Sequence, residues 1–164
     1  MNHSISYLTF YIDNKEFALP TEKVQTIFDV SSIKNIDSGI PFMEGIALKE
    51  TGVLPIVDLG KLLGITGKGP SESSSVILAN FTLSGKIFKV GLLVDMVTSV
   101  LSINKRLVVD SVRYNSLSVP KEVEAVVTDN CQKIYLLKTE NLFSEDDLLD
   151  LYIEVKKDLG IELG

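Results

Sequence analysis

The sequence predicts a mainly β fold in which two related lobes follow one another along the chain. The pattern of apolar positions in residues 17–27 recurs in residues 90–100, at an offset of 73. A second pair of matching segments, residues 45–63 and 125–143, has an offset of 80. The runs of Val, Ile, Leu, Thr and Phe are short, which favours strands over long helices. A repeat on this scale indicates two units built on one plan.

The first half of the chain is expected to hold five strands and two short helices. Alternating apolar positions and turn residues predict the strands at residues 7–12, 16–19, 33–36, 45–49 and 53–57. Thr21 can cap a short helix, in which Val24 and Ile27 would point to the core. Asp58 can cap a second helix over residues 59–63.

The second half repeats this order of elements. Residues 66–75 are rich in Gly and Ser, and we expect them to connect lobe one, at about 7–65, to lobe two, at about 76–143. The predicted strands of the second lobe lie at residues 76–82, 87–94, 124–128 and 133–138. Its extra length relative to the first lobe is assigned to residues 111–120.

Two further helices are predicted in the second half. Asp95 ends a strand and is expected to cap a helix over residues 96–101. Ser144-Glu-Asp-Asp147 resembles a capping box and begins a terminal helix over residues 144–160. The apolar stripe of that helix is formed by Leu148, Leu151, Tyr152, Val155 and Leu159. We expect this stripe to pack across one lobe.

Composition indicates a water-soluble protein that binds neither nucleic acid nor a membrane. Of the 164 residues, 45% are hydrophobic, which is enough for a packed core, and the net charge of −6 disfavours a phosphate backbone as partner. The N-terminus lacks the pattern of a signal peptide, and the apolar runs are too short to cross a bilayer. The single cysteine excludes an internal disulfide and fits a reducing compartment. We therefore expect a cytoplasmic location.

The residues that usually carry catalysis or bind metals are sparse. The only histidine, His3, lies near the N-terminus, and Cys131 lies in a predicted hairpin turn without a base nearby. Asp58 and Asp95 are explained more simply as helix caps than as an acid–base pair. The acidic residues 145–147 lack the spacing of a calcium loop. We expect no catalytic residue, no metal site and no cofactor.

Four motifs in order resemble the CheW-type adaptor domains. Residues 45–59 read Gly-Ile-Ala-Leu-Lys-Glu-Thr-Gly-Val-Leu-Pro-Ile-Val-Asp-Leu, similar to a family signature with an Asn-Leu-Arg-Gly turn and a Pro-Ile-Val-Asp-Leu strand. Residues 90–100 read Val-Gly-Leu-Leu-Val-Asp-Met-Val-Thr-Ser-Val, similar to the second signature. Further matches are Phe10, Phe17-Ala-Leu-Pro, Val24 and Ile27 at the start and Ile134-Tyr-Leu-Leu and Leu142 at the end. The resemblance covers residues 7–143.

The resemblance implies a fold and a role. It implies two small five-stranded β-barrel lobes that share a hydrophobic core. It also implies a non-catalytic adaptor of bacterial chemotaxis that couples the cytoplasmic tips of chemoreceptors to the regulatory domain of a CheA-type histidine kinase. The alternative is a divergent CheW-like module whose surface is retuned to another signalling partner. An enzyme is the third and weakest hypothesis, because the chemistry of a catalytic site is missing.

Five residues are candidates for partner binding. By position, Val24, Gly45, Gly91 and Val97 match places that the family uses around its receptor and kinase contacts. Each also has a purely structural interpretation, since the valines are compatible with the core and the glycines with close backbone approach. Glu50 is the fifth candidate, and it stands where the turn of the family has an arginine. The replacement exchanges a cation that can form two parallel hydrogen bonds for an anion.

Overall fold

The computed structural model describes residues 4–50, 52–65, 69–104 and 121–160. The strands in these ranges are β1 Ser4–Ile12, β2 Lys15–Pro20, β3 Val24–Asp29, β4 Ile33–Asn35, β5 Met43–Lys49, β6 Gly52–Asp58, β7 Ser75–Leu83, β8 Lys86–Val94, β9 Met96–Asn104, β10 Val123–Asp129 and β11 Gln132–Leu137. The helices are α1 Leu59–Leu62 and α2 Glu145–Asp158, with 3-10 turns at Thr21–Lys23, Val30–Ser32 and Thr139–Asn141. The predicted mainly β fold is confirmed. The predicted insertion at residues 111–120 lies outside the described residues.

The strands form two sheets, and each sheet contains strands from both halves of the chain. Sheet A has the order β10-β11-β2-β1-β9, and sheet B has the order β3-β7-β8-β6-β5-β4. Parallel pairing of β11 with β2 and of β6 with β8 joins the halves in each sheet. Each sheet thus combines strands of the first half with strands of the second, and the predicted bounds of lobe one and lobe two stay a prediction. The sequence pattern reveals the repeat, but it does not show whether a strand pairs with strands of its own half or of the other half.

The repeat is reproduced in the strand register. In sheet B, Ile56 lies between Gly45 on β5 and Gly91 on β8. In sheet A, Leu136 lies in the same way between Ala125 on β10 and Ala18 on β2. These two rows are related by the offsets of 73 and 80 seen in the sequence. The two sheets are therefore internal copies, and the residues that correspond to β4 by the offset of 80 lie outside the described residues.

Two of the predicted helices are strands. Residues from Val24 onward form β3, and residues 96–101 lie in β9. Both strands contain a register shift, between Val24 and Thr26 in the β3 pairing and opposite the Thr9/Phe10 step in the β9 pairing. A bulge adds one residue and reverses the alternation of the strand, so apolar side chains three positions apart return to one face. That spacing led to the incorrect helix prediction.

Three apolar clusters fill the fold. The largest, here called the shared core, contains residues of both sheets and of both helices. A second cluster belongs to sheet A and includes Tyr7, Ala18, Ile103, Ala125, Val127, Ile134 and Leu136. A third belongs to sheet B and includes Ala47, Ile56, Val76 and Leu93. Each sheet thus packs one face on the shared core and the other face on a cluster of its own.

Of the four predicted helix caps, those at Asp58 and Ser144 are confirmed. Thr21 does not cap a helix, because its hydroxyl donates to the Ser6 carbonyl at 3.3 Å and the 3-10 turn that contains it has no side-chain cap. Asp58 Oδ1 accepts a hydrogen bond from the Lys61 amide at 3.2 Å at the start of α1. Ser144 and Asp147 form the predicted capping box of α2, with both hydrogen bonds at 3.0 Å. Asp95 instead accepts from the Asp13 amide at 2.6 Å and supports the β1–β2 turn.

No helix among the described ranges is long and apolar enough to cross a membrane.

Candidate partner-binding surface

The two candidate glycines lie inside sheet B rather than on its surface. A Cβ added to Gly91 would lie 2.5 Å from Ile56 Cδ1 and 2.7 Å from Val76 Cγ1. A Cβ added to Gly45 would overlap the backbone carbonyl of Lys34 on the neighbouring strand β4. Both positions therefore need glycine for packing, and a role in partner contacts remains a prediction.

The two candidate valines lie on the terminal strands of the two sheets. Val24 begins β3, which ends sheet B, and Val97 lies on β9, which ends sheet A. Both side chains are half-buried and pack against the shared core. Each is therefore accessible to a partner while it remains anchored in the core.

An exposed apolar residue accompanies each of these valines. Ile27 on β3 is 41% exposed, and Val100 on β9 is 59% exposed. Ile27 is paired with Ile77, and Val100 is paired with Leu8. Side chains directly opposite in a sheet share a face, and both partners are members of the shared core. Neither residue is predicted as a surface residue by the sequence, because the spacing of the apolar positions indicates a helix.

We call Val24, Ile27, Val97 and Val100 the edge surface. The four residues are related in pairs by the offset of 73, because Val24 corresponds to Val97 and Ile27 to Val100. In both strands the bulge brings the second residue of the pair to the same face as the first. The shared core thus extends to exposed positions at the end of each sheet. Apolar side chains in such positions are typical of protein–protein contacts.

A cluster of hydroxyl groups around the buried Thr9 stabilises the bulge in β9. Thr9 on β1 is fully buried, and its hydroxyl lies 2.6 Å from the hydroxyl of Thr98. The Thr9 hydroxyl also accepts a hydrogen bond from the Ser99 amide at 3.1 Å. Thr98 in turn donates to Glu16 Oε2 at 3.2 Å. These contacts fix the position at which the strand reverses its faces, and hence the direction of Val97 and Val100.

Glu50 lies in the exposed turn between β5 and β6. The negative charge of Glu50 is not neutralised by the neighbouring Lys49, because the Lys49 side chain is directed elsewhere. Lys49 Nζ donates to Ser32 Oγ at 2.9 Å and lies 4.0 Å from the centre of the Phe28 ring. Leu48, just before the turn, is 76% exposed. The turn therefore presents an apolar side chain next to an anion.

The two aspartates that the sequence offers as an acid–base pair, Asp58 and Asp95, make structural contacts. No group of three or more His, Cys, Asp or Glu residues in these ranges is arranged to hold a metal ion. The carboxylates of Asp58 and Asp95 each accept a hydrogen bond from a backbone amide. Cys131 is exposed in the β10–β11 turn. The exposed apolar and charged residues described above are of the kinds that form protein–protein contacts.

Comparison with known proteins identifies one family. The family model of the CheW-like domain matches residues 6–147. The chain is 27% identical over 150 residues to a chemotaxis protein CheW of Thermotoga maritima, covering 92% of this chain and 84% of the relative. It is 30% identical over 97 residues to a chemotaxis protein CheW of Klebsiella aerogenes, covering 59% and 56%. The crystal structure of the scaffolding protein TtCheW from Thermoanaerobacter tengcongensis superposes with a TM-score of 0.69 at 25% identity, covering 88% of this chain and 95% of that one.

Proposed function

The chain belongs to the CheW-like domain family, a family of non-catalytic chemotaxis adaptors, and on that premise we propose that it couples chemoreceptors to a CheA-type histidine kinase. The observation that carries this proposal is the edge surface, where the shared core reaches exposed positions on both terminal strands. The role includes a cytoplasmic location, where receptor tips and kinase are found.

An adaptor has to hold two partners at once, and the two halves of the edge surface support this. Val24 and Ile27 lie on β3, which ends sheet B, and Val97 and Val100 lie on β9, which ends sheet A. The turn with Leu48 and Glu50 adjoins the β3 half, because Lys49 Nζ lies 4.0 Å from the ring centre of Phe28 on β3. Exposed apolar groups in these places gain free energy when a partner removes them from water, at about 25 cal/mol per Å².

Binding measurements with the receptor-tip fragment and the CheA regulatory domain of the same organism test the proposal. We expect Ile27→Asp and Val100→Asp to weaken binding of one partner at least about tenfold, because each places a charge in a contact made by apolar groups. Ile87→Asp is the matched control, since Ile87 is 65% exposed but lies on β8, away from the edge surface. Unchanged affinity in both edge variants would contradict the role of this surface.

The wild-type protein separates the proposal from its alternative. Binding to both the kinase domain and the receptor fragment is the result expected of an adaptor. If neither partner binds, the chain is not a receptor-to-kinase adaptor and its surfaces serve another signalling protein.

Charge reversal tests the β5–β6 turn. Glu50→Arg is expected to change the affinity for one partner by about 1 kcal/mol or more, because opposite charges across an interface determine which partner is preferred. The free energy of unfolding should stay within about 0.5 kcal/mol of wild type, because the substitution is on the surface. Glu72→Arg, in the exposed segment before β7, is the control. An equal effect of both reversals would exclude a specific contact at Glu50.

A further inference from the structure

A groove on the side of α1 is independent of the surfaces described above. Its volume is about 200 Å³, and its walls come from β2, the end of α1, β10 and β11. The wall residues are apolar or aromatic and comprise Phe17, Leu63, Ile65, Val123 and Tyr135, with Lys15 at the margin. None of them belongs to the edge surface or to the Glu50 turn.

The groove is formed by rigid parts of the fold. The Phe17 side chain is only 4% exposed, and its ring lies 5.5 Å from the ring of Tyr135. On the opposite wall, the Ile65 amide donates to the Gly60 carbonyl at 2.7 Å. Together with the Gly64 amide bond to Lys61 and the positive φ of Gly64, this is a Schellman ending. A ligand therefore meets walls that are already in place, so little ordering entropy is lost on binding.

Lys15 lies at the margin of the groove, and Lys133 on the neighbouring strand adds a second positive charge beside it. Pairing of Ile134 with Glu16 and of Tyr135 with Phe17 aligns β11 with β2 in parallel. The same register brings Lys133 opposite Lys15, and the alternation of strands puts both on the face of Phe17 and Tyr135. Both lysines are exposed, and neither forms an ion pair with another residue of the described ranges. This local positive charge contrasts with the net charge of −6.

We propose that the groove binds an acidic segment of a partner protein, which inserts one aromatic or branched apolar side chain between Phe17, Tyr135 and Ile65. Small-molecule sites usually have volumes of about 300–1,000 Å³, so a smaller groove suits a single side chain. Carboxylates that flank this side chain pair with Lys15 and Lys133. An apolar anchor within a charged rim is the usual composition of an interface hot spot.

NMR titration of the isotope-labelled full chain with the peptide acetyl-Glu-Glu-Phe-Glu-Glu-amide tests this proposal. We expect methyl shifts at Leu63, Ile65 and Val123 and an affinity in the range of about 0.1–10 mM, typical of a single anchor. A peptide with Ala in place of Phe should bind at least about tenfold more weakly, because the anchor is lost. Shifts that centre on other residues, or equal binding of a Lys-Lys-Phe-Lys-Lys peptide, would overturn the proposal.

Variants of the two lysines complete the test. The double variant Lys15→Glu/Lys133→Glu should lose at least about tenfold in affinity for the acidic peptide, and the loss should shrink at high salt. Lys86→Glu, at the exposed start of β8, should bind the peptide like wild type. Equal affinity of the double variant and Lys86→Glu would refute the role of the lysines. Equal affinity of phenylacetate and the peptide would refute a peptide ligand and indicate a small carboxylate instead.

Discussion

The phenol of Tyr152 makes two hydrogen bonds to the backbone of Lys89. It accepts from the Lys89 amide at 3.1 Å and donates to the Lys89 carbonyl at 2.6 Å. Pairing of β8 with β6 is limited to residues from Gly91 onward, opposite Ile56. The residue before Ile56 is Pro55, which has no amide proton to extend a ladder. The pairing of β6 with β8 thus does not extend to Lys89, and Tyr152 of α2 forms the hydrogen bonds with Lys89 in its place.

Removal of the Tyr152 hydroxyl is expected to destabilise the fold. In Tyr152→Phe the ring still packs near Phe88, 5.9 Å away, but two backbone groups of Lys89 lose their partner. We expect the free energy of unfolding to fall by roughly 1–3 kcal/mol, at about 0.5–1.5 kcal/mol per hydrogen bond. Urea denaturation measures this loss, and faster hydrogen exchange at the Lys89 amide locates it.

Tyr11→Phe is the matched control for Tyr152→Phe. The Tyr11 hydroxyl accepts from Gln132 Nε2 at 2.6 Å, an exposed bond between two side chains. Water replaces such a partner readily, so the change in stability should be within about 0.5 kcal/mol. Equal losses in the two variants would contradict a special role of the Lys89 contact.

Alkaline pH is expected to weaken the fold through the same phenol. Burial raises the pKa of Tyr152 above its ordinary value of 10.0, and the hydrogen bond with Lys89 lowers it in part. Between the pKa of the unfolded chain and the higher pKa of the folded one, the native state binds more protons, so stability falls as pH rises above 10. Burial and the charges of Glu124 and Glu22 act in the same direction on the pKa of Tyr7. Urea midpoints from pH 8 to 11.5 should therefore decline less steeply in a Tyr7→Phe/Tyr152→Phe variant than in wild type.

Addition of a methyl group at Gly91 is expected to overpack sheet B. In Gly91→Ala the new Cβ meets Ile56 Cδ1 and Val76 Cγ1, so we expect a loss of about 1–3 kcal/mol in unfolding free energy. Ile56→Val removes the Cδ1 atom, and the double variant should be more stable than the sum of the single effects predicts. Gly39→Ala, with no atom within 4 Å of the added carbon, is the control. Normal stability of Gly91→Ala would contradict the packing role of this glycine.

The hydroxyl of Thr9 is expected to hold the bulge of β9. Thr9→Val keeps the shape of the side chain but leaves the Ser99 amide without its acceptor, which costs roughly 1–3 kcal/mol. Hydrogen exchange should accelerate at Ser99 in particular. Thr9→Ser retains the hydroxyl and should restore the slow exchange, whereas Thr82→Val, on an exposed position of β7, should change neither quantity. Slow exchange at Ser99 in Thr9→Val would show that the hydroxyl does not hold the bulge.

The sequence was sufficient for the strand content, the repeat and the family, but not for the pairing of the strands. Regular strands such as β1 and β6 were predictable because alternation and β-branched residues are local signals. The strands β3 and β9 were not predictable, because each contains a bulge. The bulge changes the spacing of apolar residues on one face from two to three, which is also the spacing in a helix. The exchange of strands between the halves was also hidden, because repeated copies offer equivalent partners.

The candidate site was predictable only in part for a related reason. Val24 and Val97 could be chosen from the resemblance, while Ile27 and Val100 were assigned to helix faces that do not exist. Their exposure depends on the position of β3 and β9 at the ends of the sheets, which is a property of the tertiary fold. Likewise, Lys15 and Lys133 are far apart in sequence and meet only through the parallel pairing of β2 with β11.

The β10–β11 turn carries backbone strain that a single substitution should relieve. Asn130 and Cys131 have φ angles of 49° and 65°, the left-handed values of a type I′ hairpin turn. The β7–β8 turn has Ser84 and Gly85 in the equivalent places, with glycine at the second one. A non-glycine residue with a left-handed φ costs roughly 1–2 kcal/mol of stability, which a glycine at the same place avoids. Glycine also has more conformational freedom in the unfolded chain, and this offsets about half of the gain. We therefore expect Cys131→Gly to raise the free energy of unfolding by about 0.5–1 kcal/mol in urea denaturation, and Cys131→Ala, which retains the Cβ, to leave it unchanged. Equal stabilisation by both variants would mean that the thiol, rather than the backbone conformation, is the source of the strain.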